Sequence, residues 1–178
     1  MMYSVLEFFK IGIGPSSSHT TGPITASRKF VSFLKQKKVF GEVDSIKIEL
    51  FGSLALTGDG HGTPIALTLG LMNYAPDQVK QEQLDEVDSL EDEIKLGGVR
   101  KMKFSKSDVI FNKREKLPYH PNGIKFYAYV NNEEVATRIY YSIGGGFVVT
   151  ESNAKNDKVK SSKRKLTHTF NSAEELFT

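Results

Sequence analysis

The chain has 178 residues, a net charge of +3 and no cysteine. That length suits one compact domain with a real core, and so small a charge argues for neither nucleic acid nor a membrane surface as partner. The missing thiols exclude a disulfide scaffold, a cysteine nucleophile and the Cys ligands that usually hold an iron–sulfur cluster. No run approaches the ~20 apolar residues of a membrane span. The opening run 5–9 is broken by Glu7, followed by Lys10 and too short for a signal peptide, so a cytoplasmic location is expected.

Gly12-Ile13-Gly14-Pro15-Ser16-Ser17-Ser18-His19-Thr20-Thr21-Gly22-Pro23 is the first informative segment. It sets four hydroxyls (Ser16, Ser17, Ser18, Thr20) and the His19 imidazole between glycine and proline turns. A helix is predicted directly after it, over 23–37, from Pro23 in its first turn and from Ala26, Phe30, Phe33 and Leu34 at helical spacing. Backbone N–H groups at a helix start, with hydroxyls just before them, attract anions. The segment therefore reads as a pocket for a carboxylate or phosphate, with an ordinary Ser/Thr-rich cap as the competing reading.

A strand is predicted over 46–51, where Ile46, Ile48 and Leu50 alternate with Lys47 and Glu49. The Gly-rich turn 52–62 carries His61, and Thr63 is a candidate N-cap for a helix over 64–72 that opens on Pro64. The acidic stretch 78–96 reads as one surface helix with a narrow stripe of Leu84, Val87, Leu90 and Ile94, stopped by Gly97-Gly98. A strand follows at 109–111, then the corner Pro118-Tyr119-His120-Pro121-Asn122-Gly123. Strands at 124–130 and 135–143 are joined by the hairpin loop Asn131-Asn132-Glu133-Glu134. Gly144, Gly145 and Gly146 permit a tight backbone crossing. The sum is an α+β fold, a small mixed or antiparallel sheet packed with helices. Residues 152–165, with six basic side chains and Val159 as the one large apolar residue, cannot build a core. Residues 170–177 look like a helix start capped by Asn171 or Ser172.

Three of the four histidines thus sit in Gly/Pro-rich corners. Gly14-Pro15-Ser16-Ser17-Ser18-His19-Thr20-Thr21-Gly22-Pro23, Gly52-Ser53-Leu54-Ala55-Leu56-Thr57-Gly58-Asp59-Gly60-His61-Gly62-Thr63 and Tyr140-Tyr141-Ser142-Ile143-Gly144-Gly145-Gly146-Phe147 together resemble the beta domain of bacterial iron–sulfur-dependent L-serine dehydratases. Order and spacing match from residue 2 to the region of residue 150. Two positions depart: Pro64 stands where the family has an aspartate, and Pro121 where it often has a glutamate. The resemblance implies an enzyme that turns L-serine into pyruvate and ammonia. It also implies a 4Fe–4S cluster carried by a separate alpha domain or subunit, a homo-oligomer, and a fold similar to the allosteric substrate-binding domain of some phosphoglycerate dehydrogenases. On this reading residues 1–151 are the beta domain, 152–169 a polar linker and 170–178 the start of the cluster-bearing domain, so the chain alone should be inactive.

Dehydrating L-serine removes an unactivated Cα proton and expels hydroxide, which asks for a Lewis acid on the hydroxyl and a base at Cα. Cluster iron would supply the first. Within this chain, Ser16, Ser17, Ser18 and Thr20 are candidates for a clamp on the substrate carboxylate. His61 is the favoured base, since an imidazole titrates near ~6.5. His19 is the next choice, as a donor to the carboxylate, a group facing the cluster, or the base itself. His120 and Asn122 are candidate contacts to the ammonium group, or members of a turn only. A reading from a different class keeps the same clamp but makes the chain a serine-sensing regulatory module. A zinc enzyme is disfavoured because the histidines lie far apart with no His-x-x-His-like pair.

Overall fold

A computed structural model describes residues 12–90 and 92–155, together with Ser172 and Glu174. Of the linker expected over 152–169, residues 152–155 are described and are helical; the remainder, and the helix start over 170–177 apart from those two positions, lie outside the described residues. Helix α1 (Gly22–Gln36) follows a five-residue π-helical turn, Ser17–Thr21. Strand β1 (Ser45–Gly52) leads into the short α2 (Ser53–Thr57), a 3-10 turn (Asp59–His61) and α3 (Thr63–Leu71). Next come α4 (Gln81–Ser89), the hairpin β2 (Glu93–Leu96) and β3 (Arg100–Lys103), and β4 (Val109–Asn112). Strands β5 (Asn122–Val130), β6 (Glu133–Ser142) and β7 (Val148–Thr150) are followed by α5 (Glu151–Lys155). The five-stranded sheet runs β4-β1-β5-β6-β7, with β1 parallel to β4 and the remaining pairs antiparallel. This is the mixed sheet of an α+β fold.

Alternation in β1 and β5 decides which face is buried. Ile48 pairs with Phe126 and Leu50 with Ile124, and all four are fully buried under the helices. Lys47 and Glu49 point to the other face, where the Tyr127 hydroxyl donates to Glu49 Oε2 at 2.9 Å. α1 contributes Ile24, Phe30, Val31 and Leu34, and Phe30 stacks on Phe126 with ring centroids 4.8 Å apart. At ~1.5–3 kcal/mol per buried large side chain, this cluster is the main source of stability. No helix among the described residues is long and apolar enough to cross a membrane.

Three expectations need correction. The helix read over 78–96 ends at Ser89: Leu90 is extended (φ −68°, ψ 127°), and Ile94 and Leu96 belong to β2. Glu93 and Lys95 are exposed while Ile94 and Leu96 are buried, so a period of two overrides the helical stripe at this end. Gly97 (φ 63°) and Gly98 (φ 79°) then form the turn of a hairpin and not the stop of a helix. The loop at 131–134 is shorter than expected. Asn131 and Asn132, both at positive φ, make the two-residue turn, and Glu133 and Glu134 already pair with Val130 and Tyr129. Finally, Thr63 is not an N-cap. It opens α3 behind Gly62, and its hydroxyl is spent on the His19 carbonyl at 2.7 Å.

Candidate active site

Two corners meet at one end of the sheet. β1 stops at Gly52, whose backbone (φ 56°, ψ −125°) and closeness to the Pro121 carbonyl leave no room for a Cβ. Ser53 N–H donates to that same carbonyl at 2.9 Å, tying the start of α2 to the loop that enters β5. One helical turn of α2 then sets Ser53 and Thr57 on the same face. The second corner is the π-helical turn before α1. Ser16 stands at its start in extended conformation and accepts from His19 N–H at 3.3 Å, and Gly22 N–H closes the turn on the Ser17 carbonyl. A single π turn joined to an α-helix often accompanies a functional site.

The corners bring His19 and His61 together, with ring centroids 4.9 Å apart and planes tilted by 38°. His19 is buried, 8 % exposed, and both of its ring nitrogens meet hydroxyls. Nδ1 lies 2.9 Å from Ser18 Oγ and 3.4 Å from Ser16 Oγ; Nε2 lies 3.1 Å from Thr57 Oγ1 and 3.3 Å from Ser53 Oγ. His61 is half-buried and differently placed. Its Nδ1 is 2.7 Å from the Thr57 carbonyl oxygen, which can only accept, so Nδ1 carries the proton. In the neutral ring Nε2 is then the lone-pair nitrogen. The Thr63 hydroxyl donates to the His19 carbonyl at 2.7 Å and the Thr20 hydroxyl to the His61 carbonyl at 3.3 Å, so each corner braces the other.

Burial pushes His19 below the ordinary histidine value, the neighbouring His61 lowers it further, and a hydrogen bond at the Ser53 backbone opposes both. The pair therefore favours a neutral His19. His120 is also pushed down, by burial, and its Nδ1 accepts from Asn122 N–H at 3.1 Å, a bond that needs the nitrogen unprotonated.

The four hydroxyls of the serine loop do not converge on one point. Ser16 and Ser18 face the His19 ring, Ser17 is exposed, and Thr20 is buried against the His61 backbone. Asn122 lies beside this cluster. Its Nδ2 donates to the Ser142 carbonyl at 3.1 Å, and the Ser142 hydroxyl donates to the Ser18 carbonyl at 2.7 Å. Asn122 Oδ1 is buried with no hydrogen-bond partner among the described residues. Among the described residues, the hydrogen bond that ties His120 to the cluster is the one it accepts from Asn122 N–H. Sequence reading passed over Ser53, Thr57 and Ser142 as functional residues, although Ser53 and Thr57 at i and i+4 before His61 carry the signal of a shared helical face.

The sequence model of the serine dehydratase beta chain family matches residues 4–153. The chain belongs to that family. Among its relatives, an L-serine dehydratase of Streptomyces coelicolor is 41 % identical over 181 residues, a match covering 99 % of this chain and 40 % of the relative. An L-serine dehydratase of Mycobacterium tuberculosis is 40 % identical over 161 residues, with 88 % and 35 % covered. L-serine dehydratase 1 of Escherichia coli is 36 % identical over 179 residues, with 98 % and 39 % covered. This beta chain thus spans about two fifths of the length of such relatives.

Proposed function

We propose that the chain is the beta part of an L-serine dehydratase and that His61 takes the Cα proton of L-serine. The observation that carries this reading is the 2.7 Å contact of His61 Nδ1 with the Thr57 carbonyl oxygen. A proton held on Nδ1 by the Thr57 carbonyl leaves Nε2 as an acceptor, as a general base requires, on the more exposed of the two rings. The Cα proton passes to Nε2, the β-hydroxyl leaves as hydroxide, and the aminoacrylate tautomerises to an imine that water hydrolyses to pyruvate and ammonia. His19, bound on both nitrogens, is held with its ring 4.9 Å from that of His61. The exposed Ser17 hydroxyl, with Ser16, is assigned to the substrate carboxylate. The unpartnered Asn122 Oδ1 is assigned to the ammonium group, because a donor there relieves a buried acceptor that otherwise costs ~1–3 kcal/mol.

The donor set of this chain does not fit an iron–sulfur cluster. The sequence has no cysteine, and no three His, Asp or Glu side chains among the described residues are grouped as metal ligands. A 4Fe–4S cluster in the complete enzyme is accordingly assigned to another domain or subunit, which also explains why this chain alone should not form pyruvate. The test is kinetic and uses the complete enzyme. His61→Ala should lower kcat by ~10²–10⁴-fold, the size of a lost general base, with a much smaller change in KM. Loss of kcat in His19→Ala, with only KM raised in His61→Ala, would transfer the base to His19. Calorimetry with L-serine addresses the regulatory alternative: tight binding by the 178-residue chain alone would favour a sensor.

A further inference from the structure

We propose that Thr57 is a positioning residue that sets the proton order of the histidine pair, fixing His19 as the Nε2–H tautomer and His61 as the Nδ1–H tautomer. Its two oxygens do separate jobs. The backbone carbonyl accepts from His61 Nδ1 at 2.7 Å. The side-chain hydroxyl has one hydrogen, and that hydrogen is donated to the Ser53 carbonyl one turn earlier, at 3.0 Å. Toward His19 Nε2, 3.1 Å away, Thr57 Oγ1 is left as an acceptor, so Nε2 must be the protonated nitrogen.

The consequence runs outward from Thr57. A neutral His19 protonated on Nε2 presents a lone pair at Nδ1, and the Ser18 hydroxyl 2.9 Å away donates to it. Four groups thus share one direction of donation: Ser18 Oγ to His19 Nδ1, His19 Nε2 to Thr57 Oγ1, and Thr57 Oγ1 to the Ser53 carbonyl. Both nitrogens of His19 are committed, and His61 Nε2 is the one ring nitrogen of the pair left to accept a proton. The arrangement distinguishes two histidines of identical chemistry, and it does so through a residue whose hydroxyl and carbonyl face different rings. Thr57 itself carries no proton to or from substrate.

The kinetic arm rests on the assignment of His61 as base; the spectroscopic arm does not, so the two can fail separately. Imidazole nitrogen NMR on the full-length protein, with His19→Gln used to assign the signal, should show His19 protonated on Nε2 at neutral pH. Thr57→Val keeps the side-chain shape and the carbonyl but removes the hydroxyl. It should shift His19 toward the Nδ1–H form while leaving His61 on Nδ1–H, and Thr57→Ser should restore the wild-type pattern. In turnover, Thr57→Val should lower kcat by about 10-fold, the effect of one lost hydrogen bond to an ionisable group, and Thr57→Ser should recover most of it. A wild-type His19 protonated on Nδ1, or a His19 tautomer unmoved by Thr57→Val, would overturn the proposal whatever the activity.

Discussion

The two ends of the sheet are held together by different forces. Under α1, Ile24, Phe30, Leu34, Ile48 and Phe126 are almost fully enclosed, and their contacts are apolar and non-directional. At the end where β1 gives way to α2, buried polar side chains share the interior with Leu54 and Ala55. Of the eight buried polar residues among those described, six (His19, Thr20, Thr21, Thr63, Asn122 and Ser142) lie there, which makes directional hydrogen bonds the local constraint. An apolar core tolerates volume-conserving exchange. A buried polar cluster does not, because each lost partner strands another group. The helix-covered end keeps the chain folded, and the polar end keeps two imidazoles in one arrangement.

The largest effect should come from the apolar end. Phe30→Ala removes a ring stacked on Phe126 and should cost ~3–5 kcal/mol, read as a lower urea midpoint. The same substitution should leave the tautomers of His19 and His61 unchanged in whatever fraction stays folded. A shifted tautomer would mean that the two ends are coupled more tightly than their contacts indicate.

Thr63→Val tests the polar end. It preserves shape but deprives the buried His19 carbonyl of its donor, and it should cost ~1–3 kcal/mol. Thr68→Val is the matched control on the same helix. The Thr68 hydroxyl bonds back to the Pro64 carbonyl within α3, so its loss should cost less and should not move His19. Equal effects from both would erase the distinction between a site hydroxyl and a helix hydroxyl.

The legibility of the chain follows the same division. α1, β1, β5 and β6 could be read from the sequence because one face of each is apolar at a period of 3.6 or 2, whereas α3, buried almost all round, was legible from Pro64 in its first turn and the apolar run behind it. The reading of 78–96 failed where the two periods overlap: Leu90 and Ile94 fit a helical stripe, while Ile94 and Leu96 fit a strand, and packing of the β2–β3 hairpin decides between them. At the site, the serine and histidine motifs marked where to look. The roles within them depend on distances that no local pattern encodes. Thr63 reads as a cap until the His19 carbonyl is beside it, and Thr57 has no role until both rings flank it.

A smaller effect is expected with pH. His19 and His120 have folded values held below the ordinary histidine value of 6.5, so above it both folded and unfolded states are neutral there and nothing is linked. As pH falls through that value the unfolded chain takes up protons first, and stability declines until the lowered folded values are passed. Chemical unfolding at neutral and at mildly acidic pH should show this decline, and His19→Asn should reduce it. A wild-type stability that rises on acidification would contradict the lowered values.

The central claim is that His61 is the base at Cα, and exchange of the substrate Cα proton with deuterated solvent tests it most directly. In the complete enzyme, wild type should incorporate solvent deuterium into L-serine whenever reprotonation competes with loss of the hydroxyl. His61→Ala should lose this exchange, and His19→Asn should retain it at a reduced rate. Exchange that persists in His61→Ala and vanishes in His19→Asn would contradict the account.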